Sequence, residues 1–203
     1  KIINETESER LNKLEQNGKQ KTKKIKTITF SAKQVHDFAW FASEKYIINH
    51  STTKLKSGKS IDVYSYYYPQ SGKIWQKSDS FASQAIQFFS EEIDEYPYPQ
   101  VSVVNGDLKA SGGMEYPMIT LISDATALDQ IIAHELAHNW FYGILATNER
   151  RHPWMDEGFT SFYEQKYMNH FYKNNVSQIP FFFHKVGDYH DHQIFHRLLT
   201  YKN

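Results

Sequence analysis

The chain has 203 residues, and its 23 Lys and Arg balance its 23 Asp and Glu, so the formal net charge is zero. This neutrality gives no electrostatic reason to expect binding to nucleic acid or to an anionic membrane. The chain has no cysteine, which excludes disulfide bonds and thiolate metal sites. No apolar run approaches the roughly 20 residues that a membrane-spanning helix needs.

The first elements of the chain change from polar to β-branched composition. Residues 19–26 are rich in lysine, which in a neutral chain indicates a solvated surface. Residues 24–30 contain Ile, Thr and Phe in near alternation and predict a strand. Residues 31–34, Ser-Ala-Lys-Gln, have the pattern of a capping box, which predicts a short helix continuing to Phe41.

A predicted hairpin and a predicted helix come next. Residues 46–55 and 59–68 read as two strands, and Gly58 between them suits a tight turn. Residues 81–93 place apolar side chains at helical spacing, and Ser78 or a neighbouring polar residue can cap that helix.

The second half of the chain predicts two short strands and two longer helices. Residues 101–104 and 117–122 are apolar and β-branched, as in buried strands. Residues 126–142 predict a helix that Gly143 ends in a left-handed conformation. A further helix is expected to start at Pro153 and to run to about residue 172. A small mixed sheet followed by helices predicts an α+β fold.

The longest apolar helical run contains the chemistry that organises the chain. His134 and His138 are four residues apart, so a helix places both imidazoles on one face, one turn apart. Both can then reach a single metal ion. Glu135 follows the first histidine, where its carboxylate can lie beside a metal-bound water without being a ligand itself.

A third ligand is expected from the next helix. Eighteen residues separate His138 from Glu157, in the segment Trp-Met-Asp-Glu-Gly-Phe. Two imidazoles and one carboxylate, with a fourth position left for water, are typical of a catalytic zinc site. The sequence therefore predicts one Zn²⁺ per chain, bound by His134, His138 and Glu157, with Glu135 as the general base.

A third motif lies upstream, in residues 112–116, Gly-Gly-Met-Glu-Tyr. The three motifs together resemble the aminopeptidase N family of zinc peptidases, which are gluzincins, over about residues 30–166. The usual signatures of that family are Gly-Ala-Met-Glu-Asn, His-Glu-x-x-His and Asn-Glu-Gly-Phe-Ala. Four positions depart from them: Gly113 replaces Ala, Tyr116 and Asp156 replace Asn, and Thr160 replaces Ala.

The resemblance implies a thermolysin-like catalytic domain over residues 30–203, with its carboxy-terminal helical part incomplete. Residues 1–29 would be a linker or the tail of an amino-terminal β-domain. Flanking domains of the same parent chain would then be missing. The family's oxyanion-stabilising tyrosine would fall beyond Asn203, and the compartment stays open because the parent amino terminus is absent.

The resemblance also implies a substrate-binding role for four residues of the upstream motif: Gly112, Gly113, Met114 and Glu115. In the family, the glutamate that matches Glu115 binds the free α-amine of the peptide. Buried ammonium groups need such a carboxylate partner. The glycines let another backbone approach closely, so a peptide can add to this edge as an extra strand. The alternative interpretation is that the two glycines form a turn and that Glu115 is a surface glutamate.

Two further groups of side chains have no assigned role in the sequence. Glu164 lies seven residues after Glu157, where it either orients a ligand histidine or is a surface glutamate, and Asp156 is equally undecided. The histidine-rich tail has no recognised metal spacing and is interpreted as solvated or packing side chains. Its histidines are His184, His190, His192 and His196.

These expectations predict a zinc aminopeptidase that hydrolyses the amino-terminal peptide bond of peptides through zinc-activated water. Its partners are peptides with a free amino terminus, and the isolated chain is either weakly active or inactive. Two alternatives stay open. In a zinc endopeptidase Glu115 is merely structural, and the other alternative is a non-catalytic peptide-binding member of the family.

Overall fold

The computed structural model describes residues 28–108, 112–124 and 126–172. By its internal contacts the chain divides into two compact units, Lys1–Phe38 and Ala39–Asn203. The predicted division at residues 29 and 30 stays a prediction. Within the described residues, no helix combines the length and the apolar composition that crossing a membrane requires.

The predicted hairpin is confirmed to within about a residue at each end. Strand β1 spans Ile47–Lys54 and strand β2 spans Ser60–Tyr67, and the two pair antiparallel. Gly58 lies in the turn with φ of 90°, a conformation that glycine adopts without strain. Alternate residues of β2 point into the core, where Ile61 and Val63 are fully buried.

The sheet has five strands in the order β1, β2, β3 (Gln100–Asn105), β5 (Ile119–Ile122) and β4 (Gly113–Tyr116). Strand β3 lies parallel to β2 and to β5. Strand β4 pairs antiparallel with β5 and forms the end of the sheet. The sheet is therefore mixed, and helices accompany it, as the α+β prediction requires.

The predicted strand over residues 117–122 is wrong at its start. Pro117 and Met118 form the tight connection between β4 and β5, and Met118 has φ of 67°. The side chain of Asn139 explains why this connection is stable, because its Oδ1 accepts a hydrogen bond of 2.9 Å from the Met118 amide. The partner lies 21 residues away, so local sequence does not reveal it.

Three α-helices pack on one another beside the sheet. Helix α1 (Ser78–Glu92) contacts β1, β2 and β3, whereas helix α2 (Leu128–His138) contacts β4 and β5. Helix α3 (Pro153–Phe171) starts with its proline at the first turn and ends before Tyr172, as predicted. Because α2 lies between the sheet edge and α3, its side chains can meet both.

Buried aromatic side chains hold the three helices together. The Tyr167 ring of α3 packs against Phe88 and Phe89 of α1, with ring centroids 5.5 and 5.9 Å apart. The Tyr167 hydroxyl donates a hydrogen bond of 2.8 Å to Asp129 of α2 and accepts one of 3.0 Å from Gln84 of α1. This contact joins the carboxy-terminal half of α3 to α1 and α2.

The prediction that helix α2 ends at Gly143 is wrong. The α-helical part ends at His138, and a π-helical turn continues over Asn139–Ile144, with the Leu145 amide donating to the Trp140 carbonyl. Gly143 is not left-handed; the left-handed residue is Ala146, with φ of 49°. The wider turn coincides with burial of Trp140, whose ring packs on Phe89 at 5.8 Å.

The predicted helix from residue 31 to Phe41 is also wrong, because residues 31–45 contain no helix. Gln34, which would complete the capping box, has φ of 57°, outside the helical region. Phe38 and Trp40 are largely exposed, so no apolar stripe is buried that would stabilise so short a helix.

Candidate metal centre

Helices α2 and α3 bring the three predicted ligands together. His134 and His138 project from adjacent turns of α2, and their Nε2 atoms lie 3.3 Å apart. Oε2 of Glu157, on the first turns of α3, lies 3.4 Å from Nε2 of His134 and 3.6 Å from Nε2 of His138. The three donor atoms therefore form a nearly equilateral triangle.

The size of this triangle fits zinc. A tetrahedral ion with ligand bonds of about 2.0–2.1 Å separates neighbouring ligand atoms by roughly 3.3–3.4 Å. The measured separations of 3.3, 3.4 and 3.6 Å match these edges within a few tenths of an ångström. Nitrogen and carboxylate donors also suit zinc chemically. Of the three side chains, that of Glu157 is the most exposed, at 55%.

Each histidine presents Nε2 to the centre because its Nδ1 is held by a carboxylate. Nδ1 of His134 lies 2.8 Å from Oε2 of Glu164, and Nδ1 of His138 lies 2.5 Å from Oδ1 of Asp156. A carboxylate on Nδ1 keeps the proton there and leaves the Nε2 lone pair for a cation. Gln130 in turn donates to the other oxygen of Glu164 at 2.5 Å.

The carboxylates make this position favourable for positive charge. Burial lowers the pKa of His134, but hydrogen bonds with Glu157 and Glu164 outweigh it and raise that pKa to about 10. For His138, burial is likewise outweighed by Asp156, and the pKa is raised. A proton and a metal ion compete for the same lone pair, so surroundings that favour one also favour the other.

Glu135 lies on the same turn of α2 but is not part of the triangle. Its side chain is buried, and its Oε2 has no hydrogen-bond partner among the described residues. Burial raises its pKa to about 7, against the opposing influence of His134 and His138. A buried carboxylate oxygen without a partner is unusual and marks a group that awaits one, such as a water molecule.

The Glu135 side chain lies against the backbone of strand β4 at Gly113. A Cβ atom added at Gly113 would lie 2.4 Å from Cγ, Cδ and Oε1 of Glu135. Gly113 has no left-handed φ, so its backbone would accept another residue. Glycine at this position leaves room for the close approach of Glu135, whose side chain would have to move if an alanine stood here.

Strand β4 places the other predicted substrate residues along the sheet edge. Glu115 and Gly113 lie on the same face of the strand, and α2 packs against this strand. Burial raises the pKa of Glu115, and His138 counteracts part of that rise. Met114 points the opposite way and is 37% exposed, while Gly112 precedes the strand with φ of 127°.

Sequence reasoning left two contacts of the centre unassigned and overlooked two more. The roles of Asp156 and Glu164 were left open, although each meets a histidine Nδ1. Thr160 stands in the sequence only as a departure from the family signature, and Gln130 carries no signal of its own there. Helical spacing was the available signal, because Asp156 and Thr160, like Gln130 and His134, are four residues apart on one face. The tail histidines and any residue after Tyr172 lie outside the described residues.

Known proteins are similar to this chain over the region that contains the candidate metal centre. The model of the peptidase family M1 domain matches residues 79–194, more than half of the chain. Aminopeptidase Q of Mus musculus is 26% identical over an alignment of 137 residues that covers 55% of this chain and 24% of that protein. The alanine/arginine aminopeptidase of Saccharomyces cerevisiae is 31% identical over 116 residues, covering 50% of this chain and 14% of that protein.

The fold leads to the same group of proteins. The crystal structure of the M1 zinc metallopeptidase from Deinococcus radiodurans superposes with a TM-score of 0.52 at 15% identity, over 62% of this chain and 29% of that one. The M1 zinc metallopeptidase structures that match this chain have the gluzincin, thermolysin-like fold, as the sequence predicted. The chain spans less than a quarter of the length of the mouse and yeast aminopeptidases named above. The matched region contains His134, His138 and Glu157, and this chain belongs to peptidase family M1.

Proposed function

We propose that this chain carries the zinc site and the amine-binding site of an aminopeptidase. One observation carries the proposal: three donor atoms at tetrahedral spacing lie next to a buried glutamate, and a second glutamate lies on the adjoining strand edge. His134, His138 and Glu157 hold one Zn²⁺. The bound ion supplies Lewis-acid activation for hydrolysis of the peptide bond.

Glu135 acts as the general base. Its Oε2 has no hydrogen-bond partner among the described residues, and a pKa near neutrality suits a group that both accepts and releases a proton. Glu135 takes a proton from the attacking water and later passes it to the leaving amine. Its burial keeps bulk water away from this transfer.

Strand β4 receives the substrate. As the end strand of the sheet, it offers backbone groups with which an extended peptide can pair. Glu115 lies on the face of β4 that adjoins α2 and binds the α-ammonium of the peptide. An ammonium next to a partly buried carboxylate gains a charge-assisted hydrogen bond, and a peptide interior offers no such group. This selects free amino termini and makes the enzyme an exopeptidase.

The domain arrangement belongs to the same proposal. Residues 30–203 supply part of a thermolysin-like catalytic domain, and residues 1–29 precede it as a linker or as the tail of a β-domain. Glu164 orients His134, which the 2.8 Å contact supports.

The test uses the full-length protein and a panel of aminoacyl-arylamides, each with a free and an acetylated amine. Peptides blocked at both ends provide the endopeptidase comparison. We expect zinc-dependent cleavage of the free-amine substrates alone, lost on chelation and restored by one equivalent of Zn²⁺. Equal cleavage of the doubly blocked peptides would replace the aminopeptidase by an endopeptidase. Zinc binding without any cleavage would indicate a peptide-binding protein.

A further inference from the structure

The two histidines of the centre are held differently at Nδ1. For His138, Oδ1 of Asp156 lies 2.5 Å away and Oγ1 of Thr160 lies 3.2 Å from the same nitrogen. The His138 and Asp156 side chains are 1% and 2% exposed, and Thr160 is fully buried. This end of His138 is therefore sealed from water by two polar partners.

His134 has a looser arrangement. Among the described residues, Glu164 is the carboxylate that meets its Nδ1, and the two side chains are 23% and 10% exposed. Water screens an exposed interaction of this kind, whereas the contacts of His138 act at low dielectric. Changes at the His138 side should therefore have the larger effect on the donor strength of the ring.

Asp156 and Thr160 reach the same nitrogen because they are one helical turn apart on α3. Both are positions where the chain departs from the Asn-Glu-Gly-Phe-Ala signature, with Asp in place of Asn and Thr in place of Ala. Two of the four departures thus converge on a single atom of a predicted ligand. If only one of Asp156 and Thr160 were replaced, the remaining residue would lose the polar side chain beside it.

We propose that Asp156 and Thr160 form a positioning pair that sets the zinc affinity of the site through His138. The Asp156 carboxylate accepts the Nδ1–H and increases the electron density of the ring, so Nε2 binds a cation more strongly than it would beside an amide. Thr160 restrains the same end of the ring. The inference rests on the proposed zinc site and concerns how tightly it binds its ion.

The experiment measures the zinc dissociation constant of the full-length protein by competition with a chelator of known affinity. Asp156→Asn should weaken zinc binding by about 10- to 100-fold, the range seen when such supporting partners are removed. Thr160→Ala should weaken it by about fivefold, as expected for one neutral hydrogen bond. The double variant should lose less than the product of the two, because both act on one nitrogen.

Two controls separate this role from a purely structural one. Asp129→Asn makes the same chemical change in a buried carboxylate of α2 that accepts hydrogen bonds from Tyr167 and Tyr172, and among the described residues it has no hydrogen bond to a histidine. It should lower Tm and leave the zinc dissociation constant unchanged. Thr160→Ser retains the hydroxyl and should bind zinc like the wild type.

The outcomes decide between the two claims. If Asp156→Asn lowers Tm but binds zinc as tightly as the wild type, the pair is structural and the proposal is overturned. If Asp156→Asn does not fold, equal zinc affinity of Thr160→Ala, Thr160→Ser and wild type overturns it instead. If the His138→Ala variant still binds zinc as tightly as the wild type does, the proposed zinc site itself is wrong.

Discussion

The helical half and the strand half of the candidate site differ in how their polar groups are satisfied. In the helical half, both histidines are tied by carboxylates from α3, and Glu164 is itself held by Gln130. In the strand half, Glu115 interacts with its own backbone amide, and β4 is the end strand of the sheet. In the first half each histidine Nδ1 has its carboxylate partner, whereas the second half is an end strand whose outer side can pair with a ligand.

This difference corresponds to two kinds of binding. A metal ion needs donor atoms fixed within a few tenths of an ångström, which requires that the side chains behind them be immobile. A peptide brings its own hydrogen-bonding groups, so an open strand edge suits it better than a saturated surface. Glu135 lies at the junction, on α2 but against Gly113 of β4.

Removing a ligand should break the helical half completely. His138→Ala, or His134→Ala, deletes one corner of the donor triangle, and the remaining two donors are too few for a stable site. We expect loss of bound zinc at neutral pH, measured as metal per chain after dialysis against apo buffer. Full zinc occupancy in both variants would show that the ion binds elsewhere.

Glu135→Gln should separate metal binding from chemistry. The amide is nearly the same size, so zinc content should stay at one ion per chain. Turnover should fall by several orders of magnitude, because proton acceptance and proton delivery both fail. The measurement is kcat on a free-amine arylamide, with metal analysis of the same sample. Turnover close to wild type would remove Glu135 from the mechanism.

Glu115→Ala should damage the strand half and spare the helical one. Loss of the partner of a buried ammonium costs on the order of 2–5 kcal/mol. The value of kcat/KM for free-amine substrates should therefore fall by about tens- to thousands-fold, with zinc content unchanged. Acetylating the substrate should harm the wild type nearly as much, since it deletes the same ion pair.

The two losses should not add, because either change alone already removes the pair. Wild-type enzyme that cleaves acetylated peptides as fast as free ones, together with a Glu115→Ala variant that matches it on both, would leave Glu115 without a role in amine recognition.

The sequence was more informative about the helical half than about the strand half. The spacing of His134, His138 and Glu157 follows from helix geometry, and the structure brings these three residues to one point. The hairpin and the start of α3 at Pro153 follow equally from local signals. These elements depend on residues close in the chain, whose pattern a periodicity argument can use.

The errors occurred where distant residues decide the local structure. The Met118 turn depends on Asn139, and the π-turn after His138 coincides with the packing of Trp140 on Phe89. The expected helix after Ser31 lacked a buried apolar face. Capping and turn patterns carry no information about such long-range contacts, which is why a helix end and a strand start are misplaced and why the helix expected over residues 31–41 is not formed.

The smallest expected effect tests the junction between the two halves. Gly113→Ala introduces a Cβ atom that would lie 2.4 Å from Glu135, so that side chain must turn away from β4. Moving a side chain off its preferred rotamer costs about 0.5–1.5 kcal/mol, which corresponds to a roughly two- to twelvefold loss of kcat. Zinc content should stay unchanged, because none of the three predicted ligands moves. Gly158→Ala is the matched control: it makes the same change next to Glu157, but its Cβ would meet nothing within 4 Å. If both alanine variants retain wild-type kcat, the contact between Glu135 and β4 has no part in positioning the base. If both lose kcat equally, the loss does not come from that contact.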